Sequence, residues 1–183
     1  MKKSRLVLIL SCLFLVLALA FAAAEFRKSV QPVASGGTIK GLPDIAYDAQ
    51  ADKYLVAWQD RTGRNAEDWD VRARILDGDG NPVGRVMHIA SSAEDERHPR
   101  VAASGSGSWM VVWSTGKTIE SCAVDAEGRI DDFRSLTPGA RRPVDRPDIG
   151  FSGLDGRFFV VWEELDELGL EVIKGRSIGE PGE

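Results

Sequence analysis

The stretch Pro43-Asp44-Ile45-Ala46-Tyr47, followed after six residues by Tyr54-Leu55-Val56-Ala57-Trp58, is the first of three copies. It recurs as Pro99-Arg100-Val101-Ala102-Ala103 with Trp109-Met110-Val111-Val112-Trp113. It recurs again as Pro147-Asp148-Ile149-Gly150-Phe151 with Phe158-Phe159-Val160-Val161-Trp162. The Pro-to-Trp spacings are 15, 14 and 15, and successive prolines lie 56 and 48 residues apart. Three of the five tryptophans therefore share one register. Aromatic residues scattered through an ordinary core have no reason to do so, and a fixed period of this length marks a repeat architecture.

Two further elements complete the repeat. Val71-Arg72-Ala73-Arg74-Ile75-Leu76-Asp77-Gly78-Asp79-Gly80 aligns without gaps on Ile119-Glu120-Ser121-Cys122-Ala123-Val124-Asp125-Ala126-Glu127-Gly128, and a third copy is Ile173-Lys174-Gly175-Arg176-Ser177-Ile178. A fourth element, Val86 to Ser91, recurs at Phe133 to Thr137 and also ahead of the first repeat, as Val30-Gln31-Pro32-Val33-Ala34-Ser35. Val33 precedes Pro43 by 10 residues, as Ile89 precedes Pro99. All four elements are rich in Val, Ile and aromatic residues and are bounded by Gly, Asp, Asn and Pro, which predicts short strands joined by turns. A period of about 50 residues holding four strands is that of a propeller blade. The first two strands are nearly all apolar, as expected of a sheet covered on both faces by its neighbours, whereas Arg72 and Arg74 place the third strand nearer the rim.

The plan of Pro-x-Ile/Val-Ala, then Tyr-Leu-Val-x-Trp, then an Arg-bearing strand ending in Leu-Asp-x-Asp-Gly resembles the repeats of secreted bacterial β-propeller-like proteins. The resemblance covers about residues 30–178 and implies fold and export only. The chain lacks the Ser-x-Asp-x-Gly-x-Thr-Trp box of sialidases and the Gly-His and Trp-Asp signatures of WD40 blades. The expected fold is all-β, with blades at about 43–90, 99–137 and 147–178, the segment 30–35 completing the last blade.

Ahead of the repeats, Lys2, Lys3 and Arg5 precede the apolar run Leu6 to Ala20 and the small residues Ala22-Ala23-Ala24. That order predicts a signal peptide over 1–24, helical in its apolar part, with residues 25–183 exported to the periplasm, cell surface or medium. The alternative is an uncleaved helix, which would bring the protein to a membrane. Cleavage removes three positive charges and no acidic residue, so the formal net charge of -5 becomes -8. An acidic chain does not offer the basic face that nucleic acid requires. The hydrophobic content of 43% excludes a disordered chain, and two cysteines exclude a disulfide-stapled miniprotein. After cleavage Cys122 would stand alone, as a small buried hydrophobe.

Three blades are fewer than the roughly 4–8 with which propellers close. The expected remedy is a homodimer making a six-bladed ring, the spare strand of each subunit completing the last blade of the other. The alternative is a fragment of a longer propeller.

Strand alternation gathers the loops that leave second strands and enter first strands on one face, and the longer loops lie there. Asp60, Arg61, Asp68, Trp69 and Asp70 are the expected binding residues, an aromatic platform flanked by carboxylates that suits a glycan or a protein ligand. Trp58, Trp113 and Trp162 are expected as repeat anchors. Glu163-Glu164 and Asp166-Glu167 invite a glycosidase reading, but adjacency in sequence does not hold two carboxylates across a cleft. Asp77-Gly78-Asp79-Gly80-Asn81 opens like a calcium loop, yet Pro82 stands where its glycine belongs. His88 reads as structural and His98 as a tolerant loop edge. No metal site, cofactor or catalytic set is expected. The reading is an exported, non-catalytic binding module, with a propeller-type glycoside hydrolase and a structural spacer as alternatives.

Overall fold

The computed structural model describes residues 30–61 and 68–180. The expected signal segment lies outside them. Contacts divide the chain after Pro32; the described residues before that point, 30–32, have no regular secondary structure. Among the described residues there is no helix long and apolar enough to cross a membrane.

The fold is all-β and propeller-type. The first sheet consists of β1 (Ile39–Asp48), β2 (Lys53–Arg61), β3 (Trp69–Asp77) and β4 (Pro82–Ala90). The second consists of β5 (Arg97–Ala103), β6 (Ser108–Ser114), β7 (Ile119–Asp125) and β8 (Ile130–Ser135), and the third of β9 (Val144–Ser152), β10 (Arg157–Leu165) and β11 (Glu171–Gly179). Each sheet is an antiparallel meander in chain order. The innermost strands β1, β5 and β9 lie against one another in succession.

Side chains alternate across each sheet, so every blade has a face toward its predecessor and one toward its successor. Leu55 and Ala57 of β2 and Val71, Ala73 and Ile75 of β3 meet Trp109, Val111, Trp113, Cys122 and Val124 of the second blade. The second blade's other face sends Met110, Val112 and Ile119 against Phe158, Val160, Trp162 and Ile178 of the third. Trp58, Trp113 and Trp162 are 4%, 4% and 7% exposed; Trp113 and Trp162 face the preceding blade, and Trp58 holds the same register on the first blade's outer face, against Val33 and Ala34. Hydrogen bonds cross the first junction as well. Trp109 Nε1 donates to the Ala46 carbonyl at 3.1 Å, and the Asp48 carboxylate accepts from Gln50, Ala51 and, across the junction, Gly107. Buried in this core, the Cys122 thiol is pushed up to about 12 by desolvation, with Asp131 and Asp132 adding to the effect.

One expectation is corrected. Residues 30–35 form no strand, and the third sheet keeps three strands. The reason is local: the Val33 carbonyl accepts from Arg74 Nη1 at 2.8 Å, and Val33 and Ala34 pack on Val56, Trp58 and Leu76 of the first blade. The third strand lies toward the rim as its arginines suggested, since β3 is third outward from the innermost β1; on it Arg72 is only 8% exposed because its guanidinium lies on the blade face, paired with Asp70 at 2.8 Å.

Trp113 fills the first junction. Its replacement by Ala should cost about 3–5 kcal/mol in chemical denaturation, the range of large-to-small aromatic changes in a packed core.

Candidate functional site

Each inner strand carries the same irregularity where it meets the loop face. Pairing slips between Gly41 and Asp44 and between Arg97 and Arg100, and in β9 opposite the step from Val161 to Glu163. The residue before the repeat proline is left-handed in all three copies: Leu42 at φ 48°, His98 at 53° and Arg146 at 48°. For a residue with a Cβ this conformation costs about 1–2 kcal/mol. Its recurrence makes the bulge a property of the repeat, so chemistry at this end depends on which side chain each bulge holds. The first holds Leu, the second His, the third Arg.

From these positions a chain of hydrogen bonds runs across all three blades. The Gln59 Oε1 of β2 accepts from the His98 backbone N–H at 3.2 Å. His98 Nδ1 donates to Asp145 Oδ1 at 2.7 Å, and Arg146 Nη1 donates to Glu163 Oε2 at 3.0 Å. Burial would raise the Asp145 carboxyl, but the bonds from His98 and the Arg146 backbone hold it below the ordinary range. Glu164 is likewise held low, chiefly by Lys174 Nζ at 2.8 Å against opposing desolvation, with Trp162 Nε1 donating at 3.2 Å. Asp145, Arg146, Glu163, Glu164, Leu165 and Glu171 border an open groove of about 210 Å³.

The residues expected to bind lie on the first blade. Arg61 and Trp69 face each other across β2 and β3, with the guanidinium carbon 5.9 Å from the ring centroid, so one aromatic face is occupied by the chain's own cation. Asp70 is buried and paired with Arg72; Asp60 is buried 3.7 Å from Lys40 Nζ; Asp68 is half-buried. Thr62 to Arg64 of this loop lie outside the described residues. The five side chains share one end of one hairpin, separate from the groove of the third blade.

The sequence reading missed His98 and Glu96. His98 was read as a tolerant loop edge, but its partners Gln59 and Asp145 stand 39 and 47 residues away. Glu96 is almost fully buried; its Oε1 accepts from Ser92 N at 3.0 Å and from Ser92 Oγ, while Oε2 has no partner. Burial pushes this carboxyl up, the Ser92 donors oppose the shift and nearby Asp70 reinforces it. The Asp77 turn, which opens like a calcium loop, is closed by its own carboxylate accepting from the backbone of Asp79 and Asn81, and Asp125 does the same for Glu127 and Arg129. Among the described residues no group of three or more His, Cys, Asp or Glu side chains could hold a metal ion.

No family model matches the chain. No curated protein matches it in sequence. Among solved structures it is similar to a thermostable family-43 glycoside hydrolase, with a TM-score of 0.57 at 11% identity over 82% of this chain and 58% of that one. It is also similar to a family-43 β-1,3-galactosidase solved with galactodeoxynojirimycin, with a TM-score of 0.53 at 9% identity over 84% of this chain and 61% of that one. At these identities the likeness establishes the propeller-type fold. The chain spans about three fifths of the length of each.

Two carboxyls should respond to pH with opposite signs. Asp145, lowered in the folded state, contributes stability that is complete above its unfolded value and lost as pH falls through the folded one. Denaturation midpoints of wild type and Asp145→Asn should therefore differ most above the ordinary carboxylate range and converge as pH falls below it. Glu96, raised in the folded state, favours folding at low pH and loses that contribution as pH rises. Glu96→Gln should gain on wild type as pH climbs above the ordinary glutamate range.

Proposed function

We propose that the protein is an exported, non-catalytic binding module that holds a glycan in the groove between Asp145 and Glu163. One observation carries this reading: the groove carboxylates are already engaged by the chain's own donors. Asp145 is held by His98, Glu163 by Arg146, and Glu164 by Lys174 and Trp162. A glycosidase needs one carboxyl kept protonated near neutral pH as its general acid. Asp145 and Glu164 are shifted the other way. Fixed, ionised carboxylates beside an arginine suit a different task, accepting and donating hydrogen bonds to sugar hydroxyls in a stable arrangement. The two similar structures are named for acting on glycosidic bonds, which makes a glycan the favoured ligand over a protein. Export rests on the charged, apolar and small-residue order of residues 1–24. The Asp60–Trp69 hairpin end is a second contact region on the same face.

The alternative, a glycoside hydrolase, is favoured by Glu96, a loop-face carboxyl whose protonated form is stabilised. A glycan array followed by calorimetry on the best ligand tests both readings. The expected result is binding that Arg146→Ala weakens by about tenfold, a loss of about 1.4 kcal/mol, with the glycan recovered intact by mass spectrometry. Silence across the array overturns the binding reading. Cleaved glycan, with cleavage lost in Glu96→Gln, establishes the hydrolase instead.

A further inference from the structure

The two outer flanks of the molecule are the halves of one missing junction. In both filled junctions an aliphatic pair from one blade, Leu55/Ala57 or Met110/Val112, meets an aromatic–Val–Trp row from the next, Trp109/Val111/Trp113 or Phe158/Val160/Trp162. At the third blade's outer face the position of the pair is held by Phe159 and Val161, next to Ile173; Phe159 and Ile173 are 54% and 69% exposed. Gly175 keeps this face flat, since a Cβ there would stand 2.7 Å from the Phe159 ring. At the first blade's outer face the matching row is Tyr54, Val56 and Trp58.

That first-blade face also holds four buried polar atoms without a hydrogen-bond partner: Trp58 Nε1, Asp60 Oδ1, Arg72 Nε and Arg74 Nε. They are half of the eight such atoms among the described residues. Native interiors leave few of these groups unsatisfied; here they are already withdrawn from solvent on the face that Val33 and Ala34 pack against, with Asp60 Oδ1 3.7 Å from Lys40 Nζ. The third blade's outer face offers acceptors in Asp148, which is largely exposed, and in Ser177, paired across the sheet with Phe159.

The repeat register identifies the partner. Arg176 in β11 donates from Nη1 to the carbonyl of Leu136, just after the fourth strand of the preceding blade, at 3.1 Å. Arg74 holds the same repeat position and donates from Nη1 to the Val33 carbonyl. Val33 thus stands where the fourth strand of a preceding blade would end, although among the described residues no sheet lies on that side. Among the same residues the sheet with three strands is the third, at the opposite flank. We propose that the preceding blade is supplied by a second copy. Residues 30–35 of each copy would pair with β11 of the other as its fourth strand, and the two copies would close a six-bladed ring through two equivalent junctions.

Light scattering on the full-length chain, with denaturing mass spectrometry of the same sample, is expected to give twice the single-chain mass. Phe159→Glu combined with Ile173→Glu should yield single copies. So should Val33→Pro or Ala34→Pro, because successive strand amides point to opposite sides and one of the two must face β11. Mixing the Glu variant with the effective Pro variant should restore a one-to-one complex through the single junction left intact, which also shows both to be folded. A single-copy wild type, a mass above two copies, a pair unaffected by both prolines, or no association on mixing would each overturn the proposal.

Discussion

The structure depends on one constraint: a sheet that is apolar on both faces must be covered on both. The repeat supplies blades with an aromatic–Val–Trp row on one side and small or aliphatic residues on the other. Neither row is buried by its own sheet, so each blade is completed only by the next. Trp113 and Trp162 are buried by the preceding blade, and the hydrogen bond from Trp109 to Ala46 fixes the height at which the first two blades meet. Stability is therefore shared among junctions, as in other repeat folds.

The same stacking creates the chemistry of the loop face. Three inner strands brought side by side present three identical bulges, and a left-handed residue before proline recurs in each. The backbone device is constant while the side chain varies, so leucine, histidine and arginine are delivered to comparable places around the axis. Gln59, His98 and Asp145 then form a chain of contacts through all three blades, and Arg146 extends the pattern into the groove. Asp145 and Glu164 are held below the ordinary carboxylate range by the donors around them. Glu96, whose carboxyl burial raises above the ordinary range, lies in the segment joining the first and second blades.

The flanks follow from the same constraint taken one step further. Among the described residues three blades make two internal junctions; the third blade's outer face leaves Phe159 and Ile173 exposed, while the first blade's outer row packs against Val33 and Ala34. The Arg74–Val33 contact repeats the Arg176–Leu136 contact, and the proposed second copy rests on that repetition.

The sequence by itself determined the strands, their order and the propeller-type fold, because the Pro-to-Trp repeat records a local alternation of side chains that every blade must obey. It also marked the Asp77 and Asp125 turns, whose carboxylates bond to amides two to four residues away. It did not reveal His98 as a contact between blades, the burial of Glu96 and of Arg72, or the placement of Val33 on the first blade. Each of these depends on groups that are distant in sequence and adjacent only after blades stack. Desolvation and cross-blade hydrogen bonds are properties of the packed assembly, and only the tertiary structure decided them.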